Sequence, residues 1–213
     1  MEVNEELKKY IETNIFPSYK KNDLGHNLDH IKYVIGRSMN FASSIPDINY
    51  DMVYTIAAYH DVGHHIDASN HEVVSSEILM KDNNLRSFFT EEEIKIMSEA
   101  VCDHRASLEY EPRSIYGKIV SSADRNITID IPLKRAYAYK IVHTPDASLE
   151  QIMEESRQHL LKKFGRQGYA NEKIYFEDKQ YEQFLKDMLD LLNSELDFKK
   201  RYCEVNGITL KDN

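Results

Sequence analysis

In Val53-Tyr54-Thr55-Ile56-Ala57-Ala58-Tyr59-His60-Asp61 the apolar residues Val53, Ile56 and Ala57 recur at helical spacing, and His60 follows Ile56 by four residues and Val53 by seven. His60 therefore continues the stripe that a helix turns towards its core. Asp61, about 100° further round the helix, stands beside it. An imidazole and a carboxylate aimed inward are costly to bury without a partner. The pattern recurs on either side. His30 precedes Val34 by four residues in a segment whose apolar line is Ile31, Val34, Ile35 and Phe41, and Asp124 follows Val120 by four at the end of a line through Ile115, Ile119, Val120 and Ala123. A core histidine bonded to a carbonyl, or an aspartate at a helix end, accounts for any one of these positions alone. Three helices that aim nitrogen and oxygen donors at one core point instead to a divalent cation as the shared partner.

The rest of the chain reads as helices in the same way. Segments are expected at about 3–15, 27–43, 51–62 with Asp51 as cap, 70–81, from the capping box Thr90/Glu93 onward, 115–124, 133–143, 148–164 and 178–203. The prolines at 17, 46, 112, 132 and 145 fall between these segments and punctuate them. No stretch alternates with strand period for long, and Gly (7) and Pro (5) are scarce among 213 residues, so the expected class is all-α. The length suits a single domain, 1–213, in the form of a helical bundle.

The formal charge of -9 argues against general nucleic-acid binding. It leaves phosphorylated substrates open, because a bound ion resets the local field. No run of 18 apolar residues is present, the start lacks a basic-then-apolar leader, and Cys102 and Cys203 fit no ligand or disulfide framework. The expectation is a cytoplasmic protein without a membrane partner. Oligomeric state is not legible.

The order His … His-Asp … Asp, carried by Gly25-His26-Asn27-Leu28-Asp29-His30-Ile31-Lys32-Tyr33-Val34, Ala57-Ala58-Tyr59-His60-Asp61-Val62-Gly63-His64 and Ser121-Ser122-Ala123-Asp124-Arg125, resembles the HD superfamily of metal-dependent phosphohydrolases. The resemblance covers a core of about 23–130 and leaves 133–213 as a C-terminal helical extension. It implies an HD-type bundle in which His30, His60, Asp61 and Asp124 ligate a divalent ion: Mn, Fe, Zn, Co, Ni or Mg. His71 faces the same way as Val74 and Ile78, and His104 extends the line of Ile94, Met97 and Val101. On spacing alone each reads equally as a helix-end residue. The binuclear branches of the superfamily use an order similar to His30, His60-Asp61, His71, His104, Asp124, which implies a second site with Asp61 as bridge. The interval from the pair to His71 is shorter than in the cyclic-dinucleotide phosphodiesterase branch, and the Gly-Tyr-Pro motif of that branch is absent.

The activity so implied is hydrolysis of a phosphomonoester or phosphodiester in a nucleotide or small phosphorylated metabolite by a metal-activated water. Asp61 and His64 are the candidate catalytic residues. His64 stands where some HD enzymes place a Glu, which leaves the general acid or base open. Arg105, Arg125 and His65 are candidates for holding the substrate, either arginine being equally readable as a surface side chain, and His26 reads as a residue that orients His30 from behind or as an ordinary loop histidine. Two alternatives remain: a dinuclear iron oxygenase of the HD superfamily, which reuses the same six donors, and a non-catalytic binding module stabilised by its ion.

Overall fold

The computed structural model describes residues 2–23 and 25–209; the remaining positions, at the two ends of the chain and within the 20–27 loop, lie outside the described residues. Backbone contacts group the chain into two compact units, Met1–Arg125 and Asn126–Asn213. The division falls near the end of the expected HD core, and the N-terminal helix belongs to the first unit. All regular structure among the described residues is helical, and no helix among them is long and apolar enough to cross a membrane.

The first unit holds α1 (Glu5–Asn14), α2 (Leu28–Ala42), α3 (Tyr50–Tyr59), α4 (His71–Lys81), α5 (Glu91–Cys102) and α6 (Ile115–Ala123). Met52 to Tyr59 are all buried, which makes α3 the central helix, apolar on every side, with α2, α5 and α6 packed round it. Ile31, Val34, Ile56, Met97, Val101, Ile119 and Val120 fill the space between these four, each worth about 1.5–3 kcal/mol of burial. α4 packs chiefly on α5. The capping box of Thr90 and Glu93 forms as expected.

Three local readings are corrected. Asn49, not Asp51, caps α3: its Oδ1 accepts from the amides of Asp51 and Met52, while Asp51 Oδ1 accepts from the amide of Asn4. α3 stops at Tyr59 instead of running to about 62, because the chain turns from His60 onward and the Gly63 amide is held by Ser75 Oγ of α4 at 2.9 Å. Pro17 lies inside a 3-10 turn (Phe16–Lys21) and Pro132 inside the first turn of a helix, where a missing amide costs nothing.

The second unit holds α7 (Asp130–His143), α8 (Leu149–Phe164), α9 (Lys179–Asn193) and α10 (Glu195–Val205). Its core gathers Leu133, Met153, Leu160, Phe164, Phe184, Met188, Leu192, Phe198 and Tyr202. The single helix expected over 178–203 is two: Ser194 is extended (φ -102°, ψ 104°) and its hydroxyl accepts from the Asp197 amide, restarting the helix.

Candidate metal centre

The C-terminal ends of α3, α5 and α6 and the N-terminal turns of α2 and α4 meet within the first unit. The Asn27 side chain caps α2 through the amides of Asp29 and His30, which starts the helix where His30 faces inward. His60 and Asp61 follow the C-terminus of α3, His71 opens α4, His104 lies just past α5, and Asp124 closes α6. His60, Asp61 and His104 are at most 1% exposed and His71 is 8% exposed.

The donors form two groups joined by one carboxylate. His30, His60 and Asp124 make the first; Asp61, His71 and His104 make the second. Asp61 Oδ2 lies 3.3 Å from His60 Nε2 and 3.6 Å from His30 Nε2, whereas Asp61 Oδ1 lies 3.3 Å from His71 Nε2 and 3.5 Å from His104 Nε2. Asp124 Oδ1 approaches His30 Nε2 at 3.0 Å and His60 Nε2 at 3.7 Å. Each oxygen of Asp61 thus serves a different pair of imidazoles.

The tautomers follow from the backbone. Nδ1 of His60, His71 and His104 lies 2.8, 3.0 and 2.6 Å from the carbonyl oxygens of Ala57, Ala68 and Val101. A carbonyl only accepts, so each Nδ1 carries the proton and each neutral ring presents a lone pair at Nε2. His71 Nε2 and His104 Nε2 stand 3.2 Å apart with no proton assigned to either by this pattern. His30 Nε2, His60 Nε2 and Asp61 Oδ1 are buried without a directional hydrogen bond. Lone pairs and carboxylate oxygens that converge in this way need positive charge between them, and the donor set fits one or two divalent ions.

The electrostatics agree. Burial disfavours charge on His60, yet Asp61 and then Asp124 hold its pKa well above the usual histidine value; His30 is raised against the same burial penalty by Asp124 and Asp61. Burial likewise favours protonation of Asp61 and Asp124, but His60 beside the first and His30 beside the second hold both well below the ordinary carboxylate range. His71 is lowered by burial and by His104. Without an ion, protons on His30 and His60 supply the positive charge that the carboxylates require.

The other expected site residues are placed less uniformly. His64 stacks on His26 (centroids 3.8 Å apart, 21° between planes) and lies 5.2 Å from His71. His65 points outward, its amide and Nδ1 on Asn22 Oδ1. Arg105 is engaged by Glu72 at 3.1 Å and by the Ser69 carbonyl at 2.8 Å. Arg125 is buried, and its carbonyl accepts from Tyr33. His26 lies edge-on to His30 with Nδ1 on Asp23 Oδ1 at 2.7 Å. The sequence reading passed over Asn22, whose Nδ2 donates to the carbonyls of His26 and Asp61, and Ser75, which fastens Gly63. Their sole signal was proximity to the motif.

Among protein families, the HD domain matches residues 27–127, a span that contains all six donors. That stretch of the chain is similar to an HD domain. Curated proteins gave no match. Among solved structures the chain is similar to a predicted HD superfamily hydrolase from an uncultured Thermotogales bacterium, with 16% identity, a TM-score of 0.52 and coverage of 92% of this chain and 91% of that one. At that identity the likeness is one of fold, and its extent runs past the HD domain on both sides.

Proposed function

We propose that this protein is a metal-dependent phosphohydrolase acting on a nucleotide or small phosphorylated metabolite. The observation that carries the reading is Asp61, whose two oxygens each face the Nε2 atoms of a separate pair of imidazoles. The match to the HD domain and the likeness to a predicted HD superfamily hydrolase support the same reading. When bound, divalent ions lower the pKa of water and polarise a phosphoryl oxygen.

The chain's own contribution is placement. Asp61 joins the two donor groups, and His30, His60 and Asp124 complete one while His71 and His104 complete the other. Backbone carbonyls fix three of the rings, so little reorganisation accompanies binding. His64 is the candidate to exchange a proton or hold a phosphate, and His65 the candidate to hold the substrate from the rim. Arg105 reaches a substrate by leaving Glu72, so substrate competes with that carboxylate. Arg125 adds positive charge next to Asp124.

The test is to strip the full-length protein, reload it with Mn, Zn, Co, Ni, Fe or Mg, and assay phosphomonoesters, phosphodiesters and nucleoside triphosphates. Phosphate or pyrophosphate release by the wild type, abolished in Asp61→Ala with the helical circular dichroism retained, is the expected result. A protein holding its ions but inert across the panel overturns the reading. Oxygen uptake by the iron-loaded form would move the assignment to the oxygenase that shares these donors.

A further inference from the structure

Outside the six donors, the fold assembles a second cluster of ligand-type side chains. Asp23, His26 and His64 each offer one donor atom, and these atoms lie within 4.8 Å of one another. A first-row divalent ion, with bonds of about 2.0–2.2 Å to nitrogen and oxygen, joins donors up to about 4.4 Å apart, so a small side-chain rotation closes this set on one ion. The cluster adjoins the proposed centre: the His26 ring lies 6.0 Å from that of His30 and 6.2 Å from that of His71, so it flanks both donor groups.

Two features distinguish it from an ordinary aspartate–histidine pair. The first is the His64 ring, which stacks on His26 but has no side-chain hydrogen bond among the described residues, so both its nitrogens remain available. The second is Asn22, which uses its whole amide to tie the loop to the turn. It donates to the His26 and Asp61 carbonyls at 3.0 and 2.9 Å and accepts from the His65 amide at 3.0 Å. The segment bearing Asp23 and His26 is thereby held against the one bearing His64.

We infer that Asp23, His26 and His64 form a third divalent-cation site on the rim of the metal centre. With two nitrogens and one carboxylate it suits Mn or Zn. The Asp23 side chain is 58% exposed, so this site is the weakest of the three and keeps positions open to water or to a substrate phosphate. With an ion bound there His64 acts as a ligand, and with the rim site empty it keeps the proton-exchange role proposed above. The inference rests on the proposed metal centre for its neighbourhood but concerns separate residues.

The experiment is Mn titration of the metal-stripped, full-length protein, followed by calorimetry and by elemental counting after equilibrium dialysis. The wild type is expected to bind three ions at saturation. His64→Phe, which keeps a stacking ring, and Asp23→Asn should each bind two with the tight pair undisturbed. A wild type that saturates at two ions, or variants that retain three, overturns the third site and leaves the proposed centre standing. A wild type that binds none overturns both.

Discussion

Gly63→Ala tests how closely the turn after His60 must approach α4. The added Cβ would meet Val74 Cγ1 at 2.6 Å and the Ser75 backbone nitrogen at 2.9 Å. Val74 is half-buried and its methyl can rotate aside, but Ser75 N belongs to the helix itself. Reaching ordinary contact at 3.4 Å requires the backbones to separate by about 0.5 Å, the difference between 3.4 and 2.9 Å. The same movement stretches the 2.9 Å bond from the Gly63 amide to Ser75 Oγ. Overpacking of this kind costs about 1–3 kcal/mol. At about 2–4 °C per kcal/mol for a chain of this length, Tm should fall by roughly 2–12 °C. Because His71 sits on α4 with Ser75, the Asp61/His71/His104 group should lose affinity for its ion while the His30/His60/Asp124 group keeps its own. Thermal unfolding of the metal-free variant followed by circular dichroism, then Mn titration, measures both. A Tm within about 1 °C of wild type with both affinities unchanged would refute the steric argument.

Three further outcomes are expected. Asp61→Asn should retain the fold yet weaken the second ion by more than about 100-fold, beyond the loss seen on removing a supporting group; two ions bound as tightly as before would contradict the bridging role. The metal-free protein should be most stable between roughly pH 4 and 6.5. Its raised His30 and His60 give stability that is complete below the unfolded histidine pKa and lost as pH rises through the folded one. Its lowered Asp61 and Asp124 give stability that is lost as pH falls through theirs. Ions displace the histidine protons, so the loaded protein should strengthen with pH on the alkaline side, and a metal-free Tm that climbs from pH 6 to 8 would contradict the charge assignment. Asn22→Ala should cost about 1–3 kcal/mol in urea unfolding, since it strips partners from the Asp61 and His26 carbonyls and the His65 amide; an unaltered midpoint would show that the loop is held by other means.

What the sequence revealed and what it hid follow a physical division. The positions of His30, His60 and Asp124 on apolar helical lines were legible because periodicity reports which face is buried. The order of the six donors, and with it the convergence of His71 and His104 on Asp61, came through the resemblance to a family. The end of α3 at Tyr59 was hidden, because it depends on Ser75, a residue brought close only by tertiary folding. The break at Ser194 was masked by the unbroken apolar pattern from Tyr181 to Leu192, although Ser194 with Asp197 three residues on is a helix-start signature. Asn22 and Asp23 carry no periodic signal, since they lie in a loop and act through polar contacts that spacing does not encode.

His60, His71 and His104 each anchor Nδ1 on the carbonyl three residues earlier in their own segment. Their aim is thus a property of the local chain, fixed by contacts within each segment. Substitutions elsewhere in the interior can widen or narrow the gap between the donor groups without rotating those three rings. Bearing and separation are controlled by different parts of the molecule: the first by each segment's own backbone, the second by how the segments pack.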